Sequence, residues 1–377
     1  MKSRLSNMIY LVFFLLMITA VPVLTLLNNT GNRDQFALES EVNLSLLNGS
    51  YSKVAEDYFD KHLSIHEFAV STMAAVQYFF FLEGADGVVV GRNQWLFSNE
   101  EFDIPANAEE NLETNLATIS SIDSHLKNLN IALVVVPIPA KARILENQLA
   151  NRWSLTRENT YSRMIEGLNK TDVHVVDSYS AMYLSSENLF FRSDTHWTPA
   201  GAKIVAQATA DYCGLKTDLV LSVTDYSTEV LESSELEGDL MSYIPLAPWF
   251  SQWGPSIEYF DLQQTYESSS SLFSAREVNT VLVGTSYSAD ERWNFPGFLK
   301  QALGRDLVNY SARGLGPYRP MYDLLMDADA LSGVDLIVWE IPERYLMRSY
   351  SELKFSQVLQ SHRNLELSAA NSVQNEI

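Results

Sequence analysis

Apolar residues along this chain fall into two patterns, and their order predicts the architecture. The first pattern is a short uninterrupted run. Ile131–Val136 is one, ended by Pro137, and Val173–Val176, Thr280–Val283, Leu307–Asn309 and Asp335–Trp339 are others. Such runs, bounded by turn residues, read as strands buried on both faces. The second pattern is a helical stripe. Leu112, Leu116, Ile119, Ile122 and Leu126 share one face over Leu112–Leu129, and Tyr161–Leu168 repeats the spacing. Thr198–Tyr212 adds punctuation: Thr198 as N-cap, Pro199 at the first helical position, and Gly214 as the stop. Shorter helices are expected at Phe298–Leu303 and Met321–Ala330. Five strands alternating with helices predict an α/β fold, a parallel sheet flanked by helices.

Outside that alternation the pattern changes. An uncharged run, Met8–Leu27, follows Lys2 and Arg4 and has the length needed to cross a bilayer as a helix, about 20 residues. It lacks the small-residue site of a cleaved signal peptide, so residues 1–29 are expected to form a signal anchor. With both cations ahead of the span, the rest of the chain is exported. Residues 30–79 are polar and helix-leaning, an expected stalk or N-terminal extension. The catalytic body is expected over 80–360 and opens with a hairpin in Gly87–Phe97. Within it, 215–276 is acidic, includes Ser268–Ser271 and contains no βα unit, so it reads as an irregular insertion or lid. Residues 361–377 form a polar tail.

Composition narrows the chemistry. The net charge is −21, which excludes a general nucleic-acid binder, since phosphate backbones demand a basic face. One cysteine, Cys213, excludes an internal disulfide framework and a cysteine-rich zinc module. An exported body of this size stands without disulfides, which fits an inner-membrane anchor with its domain in the periplasm.

Two short segments carry candidate catalytic groups. Gly284-Thr-Ser-Tyr-Ser288 follows the Thr280–Val283 strand, where parallel sheets place reactive residues. It ends in serine, so it is not the G-x-S-x-G elbow. Asp194-Thr-His196 precedes a helix start, a spacing in which a carboxylate orients an imidazole and leaves its other nitrogen for a hydroxyl proton. Both segments are expected in loops after parallel strands, converging on one edge. His62 and His66 are four apart but lack a third ligand, and no metal site is expected. Glu237-Gly-Asp-Leu240 has leucine where a nucleophilic serine would stand.

Five segments together are similar to one family: Val90–Phe97, Val134–Arg143, Arg192–Ala202, Gly284–Ser288 and Val338–Arg344. The chain resembles the AlgX/AlgJ family of SGNH-hydrolase-like alginate O-acetyltransferases. It looks like the AlgJ type, since too little chain follows the last strand for the C-terminal carbohydrate-binding module of AlgX proteins. The resemblance implies Ser286 as nucleophile, His196 as general base and acid, and Asp194 as the residue that orients His196, in permuted order along the chain. It implies no cofactor, an exported polysaccharide as acceptor, and a polytopic membrane acyltransferase as acetyl donor beside other export proteins. An acetylesterase, activity on another exopolysaccharide, or a non-catalytic polysaccharide-binding protein are the alternatives.

Candidates around the nucleophile complete the reading. The Ser286 or Tyr287 amide is expected in the oxyanion hole, with Asn309, Ser311 or Arg313 as a second donor. Residues 281–320 hold Arg292, Lys300, Arg305, Arg313 and Arg319 against Asp290, Glu291 and Asp306, a basic rim suited to a polyuronate. Lys141 and Arg143 are expected to extend it, or these cations pair with acids of 215–276. Trp197, beside His196, is the tryptophan expected near the sugar.

Overall fold

A computed structural model describes residues 53, 66–150, 158–217, 224–268, 278–327 and 329–361. The expected anchor, most of the stalk, His62 and the polar tail lie outside the described residues. No helix among the described residues is long and apolar enough to cross a membrane. The chain divides into two compact units: residues up to Glu83 with Ile244–Gly254, and Gly84–Tyr243 with the residues from Pro255 onward.

In the smaller unit, helix α1 (His66–Val76) runs into a π-helical turn, Gln77–Phe81. Ser71 Oγ donates to the Ala247 carbonyl at 2.5 Å, and Phe68 meets the Trp249 ring edge-on at 5.3 Å.

The larger unit opens with an antiparallel hairpin, β1 (Val88–Val90) and β2 (Leu96–Ser98), as the sequence predicts. Helix α2 (Ala108–Asn128) leads into β3 (Ala132–Ile138), and α3 (Thr160–Asn169) into β4 (His174–Val175). Helix α4 (Pro199–Lys216) runs two residues beyond the expected glycine stop. It starts where predicted, with the Thr198 hydroxyl accepting from the Gly201 amide. A two-stranded antiparallel ribbon follows, β5 (Tyr226–Leu236) and β6 (Glu258–Glu267). Then come β7 (Thr280–Val283), α5 (Phe295–Leu303), β8 (Val308–Asn309), α6 (Tyr318–Met326) and β9 (Leu336–Pro342). The sheet is fully parallel in the order β4-β3-β9-β7-β8.

The apolar runs owe their continuity to burial on both faces. Val134, Val136, Leu282, Leu336 and Val338 face the core built with α4 and α5. Their neighbours Leu133, Val135, Val281, Ile337 and Trp339 face the core built with α2, α3 and α6. Pro137 belongs to β3 and does not end it. Val176 donates to the Val135 carbonyl, so odd positions of β3 face β4, whose pairing ends there. The proline's missing N–H thus falls where no ladder bond is needed.

Two expectations are corrected. Strand β8 is an edge strand, exposed at both residues, with Val308 48% exposed, because it stands last in the sheet order of the described residues. Residues 226–236 and 258–267 form an antiparallel ribbon, with a register shift between Val230 and Ser233, in place of the expected irregular insertion. The apolar run rule misses it because its strands are mostly exposed and rich in acids and serines.

Leu282, without exposed surface in the strand that carries the Gly284–Ser288 turn, tests the core. Leu282→Ala is expected to lower unfolding free energy in urea by about 2–5 kcal/mol, the cost of a buried cavity.

Candidate active site

Strand β7 ends at Val283, and the chain turns through Gly284 into a one-turn helix, Ser286–Ala289, capped by the Thr285 hydroxyl. This places Ser286 at the C-terminal edge of the sheet. Ninety residues earlier in sequence, Asp194 and His196 sit in a loop closed by an isolated bridge between Phe190 and Trp197. That loop leads into α4 and does not follow a strand of the sheet, which corrects the expected placement. The three side chains nonetheless form one line. Asp194 Oδ1 lies 2.6 Å from His196 Nδ1, and His196 Nε2 lies 2.7 Å from Ser286 Oγ.

Asp194 is buried, with Oδ1 also accepting the His196 amide at 2.8 Å and Oδ2 the Asp239 amide at 3.0 Å. Burial pushes its carboxyl upward, but His196 and these amides outweigh that and hold it below the usual carboxylate range. An ionised Asp194 keeps a proton on Nδ1 and leaves Nε2 to receive one from Ser286.

Side chains that the sequence left unassigned hold the two loops. The Glu340 carboxylate in β9 is fully buried and accepts from the Thr285 amide at 2.7 Å, the Thr285 hydroxyl at 3.1 Å and the Ser288 hydroxyl at 3.0 Å. A side chain at 284 would bring Cβ to 2.4 Å from Glu340 Oε2, which explains the glycine. Burial pushes the Glu340 carboxyl up to about 6, so it is an acceptor at neutral pH.

The Asp194–His196 loop is held from the other side by Lys141. Its ammonium is fully buried and donates to the carbonyls of Leu96 at 2.5 Å, Arg192 at 3.1 Å and Asp194 at 2.9 Å. Burial brings it down to about 8 against the opposing pull of Glu101, Glu258, Asp194 and Asp239. Lys141 is therefore a brace and no part of a basic rim, and Arg143 is bound to Glu343 at 2.6 Å. Glu258 of the ribbon accepts from the Arg192 and Ser193 amides at 2.7 and 2.9 Å. Asp239 accepts from the Thr195 amide at 2.8 Å and from its hydroxyl. Gly238 lies so close to this loop that a Cβ would stand 2.1 Å from the Ser193 carbonyl oxygen. The signal for Asp239 was present in Glu237-Gly-Asp-Leu240, as an acid beside a glycine, not as a degenerate serine motif.

Other candidates take different places. Tyr287 is buried; its hydroxyl donates to the Thr195 carbonyl at 2.5 Å and accepts from Arg344 at 3.3 Å, tying the two loops together. Its amide points to the Thr285 hydroxyl at 3.3 Å, whereas the Ser286 amide opens the helical turn, where no intrahelical acceptor exists. Asn309 turns its amide to the Ser288 carbonyl at 2.9 Å and accepts from the Ser311 amide at 3.1 Å, bracing the nucleophile turn. Trp197 has no exposed surface and packs against Tyr287 and Phe295, so it cannot stack on a sugar. Trp293 is the tryptophan at the site, stacked on the His196 ring at 5.6 Å.

Arg292 and Arg313 both reach the buried Asp290, at 2.7 and 3.2 Å. Lys300, Arg305 and Arg319 pair with Asp306, Asp335 and Asp323, and among the described residues these pairs involve no acid of 215–276. Ligand atoms of Asp194, His196 and Asp239 lie within 4.8 Å of one another, so Asp239 adds a second carboxylate beside the imidazole. Each residue of this cluster is already engaged in the hydrogen bonds above, which suits orientation of His196 rather than metal ligation.

Residues 88–343 match the family described as SGNH hydrolase-like domain, acetyltransferase AlgX. The chain belongs to this acetyltransferase family. A probable alginate O-acetylase AlgJ from Azotobacter vinelandii is 35% identical, over 94% of this chain and 92% of its own length. The O-acetyltransferase domain of Pseudomonas putida AlgJ superposes with a TM-score of 0.66 at 34% identity, covering 73% of this chain and 99% of that domain. Pseudomonas aeruginosa AlgX shares the fold with a TM-score of 0.58 at 18% identity, over 72% of this chain and 65% of that one. The fold is thus SGNH-hydrolase-like, and the family member is an enzyme of the acyltransferase class.

Two substitutions test the braces. Glu340 is protonated in folded and unfolded chains below about pH 4.5; between there and about 6 the unfolded chain ionises first. Wild type should therefore lose about 2 kcal/mol relative to Glu340→Gln across that window, then stay level, by urea unfolding. Lys141→Met strips three carbonyls of their donor and should cost about 3–5 kcal/mol, as removal of a buried charge partner does.

Proposed function

We propose that this chain acetylates hydroxyls of alginate in the periplasm through an acetyl-Ser286 intermediate. The Asp194–His196–Ser286 hydrogen-bond line carries the reading, in a chain similar to probable alginate O-acetylases along most of its length. In the first half-reaction Ser286 Oγ attacks the acetyl carbonyl while His196 Nε2 takes the hydroxyl proton. The tetrahedral oxyanion forms beside the Ser286 amide, and the leaving group departs with the proton from His196. In the second, His196 removes the proton of a sugar hydroxyl, whose oxygen attacks the acetyl ester; Ser286 leaves and regains a proton. Asp194 stabilises the cationic imidazole in both.

An exported domain meets no acetyl-CoA pool, so the donor is an acetylated group delivered by a polytopic membrane acyltransferase. The run Met8–Leu27 would keep the domain beside that partner and other export proteins.

Incubation with a chromogenic acetyl ester, followed by intact-mass spectrometry, tests this reading. An acetyl adduct should form on wild type and vanish in Ser286→Ala. Asp194→Asn should slow turnover about 10³–10⁴-fold by favouring the wrong imidazole tautomer. Addition of oligomannuronate should move acetyl to the sugar; hydrolysis alone would indicate an esterase, and no adduct on wild type would sink the nucleophile assignment for this donor.

A further inference from the structure

Between the β5–β6 ribbon and the segment that follows the nucleophile lies a cleft of about 490 Å³, lined among others by Leu262, Gln264, Thr265, Arg292, Asn294 and Lys300. We infer that this cleft is the acceptor groove, that Arg292 binds a uronate carboxylate there, and that the ribbon supplies its far wall; the inference rests on the proposed transfer reaction.

Arg292 is prepared for that contact. Its guanidinium donates through Nε and Nη2 to Asp290 at 3.0 and 2.7 Å and lies over the Trp293 ring at 4.6 Å. Held on two sides, the fork keeps its Nη1 edge for a ligand, with its side chain 45% exposed. Asp290 is shared with Arg313, so one buried carboxylate orients two exposed guanidinium groups. Carboxylates pair bidentately with such forks, whereas a neutral sugar makes no use of the charge. The groove also lies near the chemistry, one side chain away from it. The Asp290 amide donates to the Ser286 carbonyl at 3.2 Å, and Trp293 stacks on His196, so only one indole separates the guanidinium from the base.

The walls suit a sugar chain. Gln263, Gln264, Asn294 and Thr265 offer amides and a hydroxyl, while Leu262 and Pro296 offer flat apolar contact. Asn294 donates to Thr265 Oγ1 at 3.0 Å, tying the ribbon to the floor. Among the residues that line the cleft, Arg292 and Lys300 stand against Glu291, a local excess of one cation in a chain of −21.

The test is calorimetric titration of the full chain with a defined oligomannuronate and with the same oligomer after carboxyl reduction, for wild type, Arg292→Gln, Arg292→Lys and the distant control Arg319→Gln. Arg292→Gln should bind the uronate about tenfold more weakly and the reduced oligomer unchanged, with Arg292→Lys between, as expected for loss of a charged fork. Arg319→Gln should match wild type. Uronate binding by Arg292→Gln within twofold of wild type, or equal weakening for both oligomers, would overturn the assignment. Circular dichroism of each variant separates misfolding from lost contact, and if Arg292→Gln misfolds, Arg292→Lys decides alone. The acetyl adduct on Ser286 is read in parallel: an adduct with indifferent Arg292 sinks the groove and leaves the transfer reaction, whereas no adduct sinks the reaction itself.

Discussion

The Glu340 carboxylate is fully buried, and its charge is carried by the Thr285 amide and the hydroxyls of Thr285 and Ser288. Those three donors belong to the turn that presents Ser286. Solvating the buried charge and fixing the nucleophile turn are therefore one interaction, and neither is available without the other. The carboxylate is itself held by β9, the central strand, paired on both sides. The turn inherits the rigidity of the sheet core.

Lys141 repeats this logic with the opposite sign. A buried ammonium cannot be left unsolvated, and the carbonyls of Leu96, Arg192 and Asp194 replace its water. The loop bearing Asp194 and His196 has no sheet strand of its own, so it depends on such contacts, together with Glu258 and Asp239 from outside the sheet. Tyr287 then spans the two loops, from the nucleophile turn to the Thr195 carbonyl. A 2.7 Å contact between His196 and Ser286 needs both loops fixed, and buried charges fix directions more firmly than apolar packing does.

The ribbon acquires two roles from this arrangement. Glu258, at the start of β6, helps to hold the Asp194–His196 loop, while Leu262–Thr265 further along the same strand lines the cleft beside Arg292. A single exposed strand thus connects the alignment of the base with the space open to an acceptor.

By itself the sequence determined the elements whose periodicity follows from burial: the strands at Val134, Val281 and Val338, the α2 stripe, and the capped start of α4. It also marked Asp194, His196 and Ser286, because a carboxylate two residues from an imidazole and a serine after a buried strand are local patterns. The ribbon left no such trace, since only Leu236, Phe260 and Leu262 reach the core and the acids and serines between them leave no apolar period to read. Nor did Lys141, Glu340 and Glu258, whose spacing in the chain carries no hint of their partners. What a buried charge grips is decided only when elements 40 to 60 residues apart pack together, as between Lys141 and Asp194 or Thr285 and Glu340. Trp197 and Trp293 show the same limit: adjacency to His196 in the chain pointed to Trp197, but packing buried it against Tyr287 and Phe295 and set Trp293 against the imidazole ring.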